Sequence, residues 1–365
     1  MSSFPAPGSL SLNRKALFLS ACAARPVPRV PVWIMRQAGR YLPEYRAIRA
    51  RHKFLEICKT PELAIEVSLQ PFRILGVDAV IVFSDILISA EAMGMQLELT
   101  EAGPVLGNPI RTAADVQALR SFDPEADTRF LLDTIRGLCR ELGPEVPVLG
   151  FAGAPWTLAC YMVEGQTKSG FDSLKKLMHS DPALLHLLLE RIARATAPYL
   201  RAQIAAGATA VQIFDTWAGE LRRKDYEEFA LPATQLLISE VKGSSAPVIY
   251  YVKNSAHLME SLGKLGADVL SVDWRVELAA VRQVLGPHVV LQGNVDPCVL
   301  LGPEAGVRKA VRETVAQTEG RGHILNLGHG ILPDVPVENA RAFVEAGQAI
   351  SLAHEETVAG FRQES

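Results

Sequence analysis

Eight apolar, β-branched runs of strand length recur along the chain, at Val30–Ile34, Ala79–Phe83, Pro147–Phe151, Ala210–Phe214, Val248–Val252, Val269–Val272, Val289–Gln292 and Ile324–Leu327. Between them lie helix-length amphipathic stretches such as Leu184–Ala206 and Val307–Gln317. A strand that is apolar on both faces has to be covered on both, and alternation with helices is the pattern of a parallel sheet under helices. Eight such units predict a single α/β domain closed as a (β/α)8 or TIM barrel. A doubly wound open sheet is the competing arrangement, but it needs an early glycine-rich fingerprint, and the sequence has none. The chain has 365 residues, 48% of them hydrophobic, which is enough to fill such a core as one domain.

An internal echo supports the repeat. Leu75–Asp85 (LGVDAVIVFSD), Ala206–Thr216 (AGATAVQIFDT) and Leu265–Trp274 (LGADVLSVDW) share one plan. In each, a glycine suited to the left-handed conformation ends a helix, a strand follows at once, and an aspartate stands where the strand stops. Three stretches depart from the plain repeat. Ile88–Arg111 alternates around Glu101–Gly103 like a hairpin inserted after the second strand, and Ser121–Glu145 adds a loop and a helix. About 58 residues separate the third and fourth strands, room for two helices, the second opened by Ser180-Asp181-Pro182. No linker divides the chain. Residues 1–20 are expected to be a loosely ordered lead-in and 21–365 the barrel domain.

Net charge is −3 with both signs well mixed, so a general affinity for nucleic acid or anionic membrane is excluded and any basic site must be local. No apolar run approaches the roughly 18–20 residues that span a bilayer, and the opening MSSFPAPGSLSLNR lacks the layout of a signal peptide. The five cysteines are scattered and never form a C-x-x-C pair. That argues for reduced thiols in a cytoplasmic setting and against a structural zinc site.

Pro31–Arg46 (PVWIMRQAGRYLPEYR) is where chemistry first becomes visible. An apolar strand delivers Arg36 and Arg40 to a loop punctuated by Gly39 and Pro43. A guanidinium fork matches carboxylate geometry, so the loop suits a ligand rich in carboxylates, although arginines are also ordinary surface residues. In barrels of this kind the reacting groups stand at the carboxyl ends of the strands. Those ends carry Arg36, Asp85, Gly153, Asp215-Thr216, Lys253-Asn254, Asp273-Trp274, Asn294-Asp296 and His329. Asp215 and Asp273 read equally well as helix caps or partners of neighbouring arginines. Lys253 has only its position to suggest a Schiff-base role. His329 lies between two glycines that permit close approach of a ligand. No metal is expected: no histidine pair has ligand spacing on a carboxylate-bearing helix, and no cysteine neighbours His329.

Pro31–Arg46, Phe83–Leu87, FAGAPWTLACYMVEG (Phe151–Gly165), QIFDTWAG (Gln212–Gly219), SVDW (Ser271–Trp274), LQGNVDPC (Leu291–Cys298) and NLGHG (Asn326–Gly330) together resemble the uroporphyrinogen decarboxylase family of haem biosynthesis, nearly end to end. The resemblance implies a single (β/α)8 barrel, a homodimer, no cofactor, and a carboxy-lyase that removes carbon dioxide from the four acetate arms of uroporphyrinogen III to give coproporphyrinogen III. It implies that Arg36 and Arg40 bind substrate carboxylates, Arg36 doubling as a proton donor, and that Gln37, Ala38 and Gly39 line the same site through their backbone. Asp85 would bind the central pyrrole N–H groups, and Tyr161, Thr216 and His329 would contact substrate arms. Thr216 stands where some members carry serine.

The chemistry is consistent with these residue types. Protonating the ring carbon beside an acetate creates the electron sink that decarboxylation needs, without pyridoxal, thiamine or metal. The resulting cation then calls for a fixed carboxylate in a dry site. Asp85 is the candidate, with Arg36, Arg40 and the further arginines Arg46 and Arg49 as the cationic rim. A corrinoid-linked methyltransferase of the same superfamily is the first alternative. It would hold zinc by histidine and cysteines, whereas Gly330-Ile331 follow His329 here and Cys298 stands alone. A non-enzymatic tetrapyrrole carrier is the second.

Overall fold

The computed structural model describes residues 12–100, 103–166, 170–243 and 245–352. Within them seven strands pair in parallel: β1 (Val80–Ile81), β4 (Val148–Gly153), β5 (Ala210–Asp215), β6 (Val248–Val252), β7 (Val269–Val272), β8 (Leu291–Val295) and β9 (His323–Leu327), in that order across the sheet. β2 (Leu97–Thr100) and β3 (Gly103–Leu106) form a separate antiparallel pair, Leu97 opposite Leu106 and Thr100 opposite Gly103. Glu101 and Ala102, the tip on which the hairpin expectation centred, lie outside the described residues.

The first expected strand, Val30–Ile34, is reduced to one parallel bridge, Val32 to Leu325 of β9. Its backbone nonetheless bonds in both directions. Leu325 N–H donates to Pro31 O (2.9 Å) and Trp33 N–H to Leu325 O (3.2 Å), while Asp78 N–H donates to Val32 O (2.7 Å) just ahead of β1. Residues 31–33 therefore lie between the two edges of the sheet. Asp78 fixes them there. Its fully buried carboxylate accepts Val32 N–H (2.9 Å) and both Nη atoms of Arg29 (2.6 and 2.7 Å).

One apolar cluster draws Trp33, Ala79, Leu149, Ala210, Ile249, Val269, Val290 and Ile324, one residue from or beside each of the seven parallel strands together with Trp33 of residues 31–33. Trp33 Nε1 donates to Gln292 Oε1 (3.0 Å), and Gln292 Nε2 donates to Gln212 Oε1 (3.0 Å) and Ser271 Oγ (2.9 Å), so the buried polar groups pair with one another. The helix Arg14–Cys22, capped by Asn13, packs Leu17 and Phe18 into the same cluster. Residues 14–20, which fall within the expected lead-in over residues 1–20, are thus helical. Residues 1–11 lie outside the described residues, and the apolar face formed by Leu17, Phe18 and Ala21 orders the rest.

Elsewhere the helices lie close to their expected bounds, Pro182–Ala205 and Glu304–Ala316. Asp181 caps the former by accepting Leu184 N–H (3.1 Å). Three helices, Pro155–Glu164, Asp172–Ser180 and Pro182–Ala205, fill the long third connection where two were expected. The glycines of the internal echo do have positive φ: Gly76 at 74°, Gly207 at 119° and Gly266 at 78°.

Replacing Asp78 tests how residues 31–33 are held. Asp78→Ala leaves Arg29 and Val32 N–H without their acceptor. The expected loss is about 3 kcal/mol in urea unfolding, the lower end of the range for a broken buried pair because Arg29 keeps some solvent contact. A loss below about 1 kcal/mol, the level of an exposed pair, would show that the segment is anchored elsewhere.

Candidate active site

Beyond the bridge at Val32 the chain turns sharply, and the buried Gln37 makes the turn rigid. Its Oε1 accepts Ile34 N–H (3.2 Å), its Nε2 donates to Ala79 O (3.1 Å), and its N–H donates to Ile34 O (2.9 Å). Met35 N–H donates to Asn326 Oδ1 (2.8 Å). Arg36 is held outward at φ +61°, a region that non-glycine residues rarely occupy. Its stem crosses Gly330 so closely that a Cβ there would lie 2.3 Å from Arg36 Cδ, which accounts for glycine after His329. Gly39 is also tight, a Cβ there falling 3.0 Å from Arg36 O. Ala38 is half-buried and Arg40 exposed. Arg46 and Arg49 are not free members of the rim: Arg46 donates to the carbonyls of Arg40 (2.8 Å) and Tyr41 (3.1 Å), bracing the loop, and Arg49 donates to His52 O.

Asp85 follows β1. Phe83, two residues before it, is set between the rings of Tyr45 (5.7 Å) and Phe54 (5.3 Å), and its N–H donates to Ser68 Oγ (2.9 Å). Asp85 Oδ1 accepts Leu87 N–H (2.8 Å) at the start of the short helix Ile88–Ala92. Among the described residues Oδ2 has no hydrogen-bond partner. The carboxylate therefore caps a turn with one oxygen and offers the other. Desolvation pushes its pKa up; the Leu87 N–H and Arg36 act against that, and Glu91 adds to it.

His329 follows β9, half-buried, with its ring parallel to that of Tyr251 (centroids 6.0 Å apart, 8° between planes). Tyr251 Oη donates to Gly328 O (3.0 Å) and lies 3.2 Å from His329 Nδ1. Burial lowers the imidazole pKa to about 3, and the cations Arg36, Lys253 and Arg275 act in the same direction. His329 is thus neutral at ordinary pH, a hydrogen-bonding group rather than an acid.

Tyr161, on the helix Pro155–Glu164, stands edge-on to Trp217 (6.4 Å), which packs on Phe171 (4.9 Å) and lies under Lys253 Nζ (5.6 Å). Thr216 is half-buried between Asp215 and Trp217. Arg36 shares an electrostatic neighbourhood with both Asp85 and His329, and Lys253 links His329 to the Trp217–Tyr161 side. Tyr251 and Trp217 were missed by the sequence reading. Tyr251 sits inside an apolar run that signals core alone, while Trp217 was quoted only as part of a motif.

The other two strand-end aspartates are structural. Asp215 is fully buried and accepts Thr157 Oγ1 (2.7 Å), Thr157 N–H (3.2 Å) and Tyr250 Oη (2.6 Å). It caps the helix before it, not the one after. Asp273 pairs with Arg275 Nη1 (2.6 Å) and accepts Asn254 N–H. Among the described residues no three histidine, cysteine or acidic side chains are grouped to hold a metal ion. No described helix is long and apolar enough to cross a membrane.

Residues 13–350 match the family model described as uroporphyrinogen decarboxylase (URO-D). Proteins named uroporphyrinogen decarboxylase from Trichlorobacter lovleyi and Geobacter metallireducens are 50% and 51% identical over 335 residues, covering 92% of this chain and 98% of each relative. The relative of that name from Pelobacter propionicus is 52% identical at the same coverage. Among solved structures, a methyltransferase from Methanosarcina mazei superposes with a TM-score of 0.81 at 24% identity, over 93% of this chain and 99% of that one. That likeness speaks for the fold.

Asp215 makes stability depend on pH. Burial raises its folded pKa to about 6, opposed by the bonds from Thr157 and Tyr250. The folded state therefore holds a proton that the unfolded state has released between about pH 4 and 6, and stability falls as pH rises through that window. The penalty amounts to about 3 kcal/mol for a shift of roughly two units. Asp215→Asn keeps an acceptor for Thr157 and cannot ionise. Urea unfolding from pH 4 to 7 should show this descending component in the wild type and not in Asp215→Asn; identical pH profiles would refute it.

Proposed function

Because the chain belongs to the uroporphyrinogen decarboxylase family, we propose that Asp85, Arg36 and the groups around them decarboxylate the acetate arms of uroporphyrinogen III without metal or organic cofactor, giving coproporphyrinogen III. The observation that carries this reading is the unpartnered Oδ2 of a desolvated Asp85 in the field of Arg36. A carboxylate is acceptor-only and can receive several N–H donors at once, which is what the centre of a tetrapyrrole presents. Its charge also favours the ring cation formed when the carbon beside an acetate is protonated, and it is fixed in place before the reaction.

Arg36 and Arg40 then bind carboxylate arms, with the backbone of Gln37, Ala38 and Gly39 lining the same pocket. Tyr161, Thr216 and His329 hydrogen-bond other parts of the substrate. Arg36 is the candidate for delivering the proton, since a neutral His329 carries none to spare. We read residues 31–35 as the eighth stave of a closed barrel, the β2–β3 hairpin as an insertion after the second stave, and 21–365 as one domain acting in the cytoplasm as a homodimer. The methyltransferase alternative is not favoured: the family model and the relatives of about 50% identity are decarboxylases by name, and Gly330 follows His329.

The test is conversion of uroporphyrinogen by protein dialysed against chelator, with undiminished rate expected; activity lost and then restored by zinc would reverse the reading, and absence of turnover would leave a carrier. Arg36→Ala and Arg40→Ala should each cost about one to two decades in kcat/KM, the worth of a charge-assisted contact. Asp85→Asn is the sharper variant, because its amide oxygen can still accept Leu87 N–H and so keep the turn. What it loses is the charge and the second acceptor, worth about 3–5 kcal/mol by analogy with broken buried ion pairs. The expected fall is roughly two to four decades in kcat. Near wild-type turnover by folded Asp85→Asn would leave Asp85 as a cap only.

A further inference from the structure

Val252, the last residue of β6, pairs with Asp215 of β5 on one side and Val272 of β7 on the other. Lys253 therefore leaves the sheet between the loop of Thr216 and Trp217 and the loop of Asp273. Both loops grip its backbone. Asn254, at φ +58°, donates its N–H to Asp273, and Gly219 comes so near that a Cβ there would meet Lys253 O at 2.0 Å. From this fixed point the side chain runs over the Trp217 ring, placing Nζ 5.6 Å from its centroid.

The residue is half-buried, yet among the described residues no carboxylate lies within ion-pair distance of its ammonium. The aspartates on the flanking strand ends are already engaged, Asp215 by Thr157 and Tyr250, Asp273 by Arg275 and Asn254. A partly desolvated cation calls for a counter-charge, and an indole face supplies only part of one. Lys253 also acts on His329 together with Arg36, so its charge is directed at the same space.

Position round the ring supplies a second observation. Counting residues 31–35 as one member, the strand order puts β6 four places away in either direction. Arg36 and Arg40 leave one side of the mouth and Lys253 the opposite side. A macrocycle with carboxylate arms all round its rim presents negative charge to both sides at once. Cations on one side alone would leave the far arms without partners.

We propose that Lys253 is a further substrate-binding residue, receiving a carboxylate arm of the macrocycle opposite Arg36 and Arg40, with Trp217 as the platform that holds the ammonium in position. This rests on the decarboxylase reading above. Lys253→Met keeps an unbranched stem over Trp217 and removes the charge, while Lys253→Arg keeps the charge. In assays over a series of NaCl concentrations, Lys253→Met should raise KM roughly tenfold, as loss of one charge-assisted contact predicts, and flatten the salt dependence of kcat/KM. The melting temperature should stay unchanged, and Lys253→Arg should retain most of the affinity.

A Lys253→Met enzyme with wild-type KM and salt dependence would overturn the assignment and leave Lys253 as packing on Trp217. A second measurement needs no variant. Wild-type protein is pulse-labelled with an amine-acylating reagent, with and without uroporphyrin, the oxidised and unreactive form of the substrate, and the modified peptides are read by mass spectrometry. Protection of Lys253 by the porphyrin is expected; equal labelling would overturn the proposal. Turnover by the wild type with Lys253 unprotected rejects this inference alone, whereas no turnover by the wild type rejects the decarboxylase reading and this inference with it.

Discussion

A single buried carboxylate, Asp78, sets the geometry on which the mouth of the sheet depends. It receives Arg29 on both oxygens and Val32 N–H on one, while Arg14 (3.5 Å) and Gln348 Nε2 (3.3 Å) approach Oδ1. Segments from both ends of the chain thereby meet at the edge of β1. Without that junction the sheet would have two free edges, β1 and β9, and unpaired edges are costly when buried. With it, residues 31–33 bond to Leu325 of β9 on one side and to Asp78 on the other, and the turn that follows sets Arg36 against Gly330. Gln37 and Asn326 then fix the direction of that turn. The position of Arg36 thus follows from backbone hydrogen bonding several residues earlier.

The electrostatics of the site follow from burial combined with incomplete pairing. A fully paired carboxylate, such as Asp273 with Arg275, has its charge neutralised locally and acts as structure. Asp85 is half-buried where Asp215 is fully buried, and burial pushes the pKa of both up, but Asp85 gives only one oxygen to a backbone donor and feels Arg36 at a distance. Such a carboxylate keeps acceptor capacity to spare for N–H donors. His329 shows the complementary case: burial holds the imidazole neutral, and the cations Arg36, Lys253 and Arg275 act in the same direction, so the positive charge around it resides on those three side chains.

How legible all this was in the sequence depends on how local each determinant is. Seven of the eight apolar runs became strands of the parallel sheet because burial on both faces is written into their composition. The run at Val30–Ile34 was equally apolar but is tied to its neighbours by few backbone bonds, since the turn at Gln37 and the anchor at Asp78 take over almost at once. Nothing in the local pattern marks that. The part of the expected lead-in that is described, from Arg14 on, is helical because Leu17, Phe18 and Ala21 pack into an apolar cluster drawn from every strand of the parallel sheet or its immediate neighbour. Arg46 and Arg49 were read as rim charges because sequence shows a charge and not its partner; the carbonyls they bind lie just before and just after their own helix, Pro43–Arg49.

The three echoing segments carry this point furthest. Each places an aspartate at or beyond the end of a strand after the same glycine-led entry, and each glycine has positive φ. Their fates differ because the neighbouring connection differs. Beside Asp215 the helix Pro155–Glu164 starts, so its N-terminal donors and Thr157 occupy the carboxylate, with Tyr250 completing the shell. Beyond Asp273 an arginine two residues on folds back as a direct counter-ion. Beyond Asp85 the chain enters a helix of five residues, whose start offers one N–H, and the arginine that could pair with it is held on the Gly330 side by a steric fit. A repeated motif therefore fixed where three carboxylates stand, and the donor supply of the adjoining loops decided which of them was left with an oxygen that has no partner among the described residues.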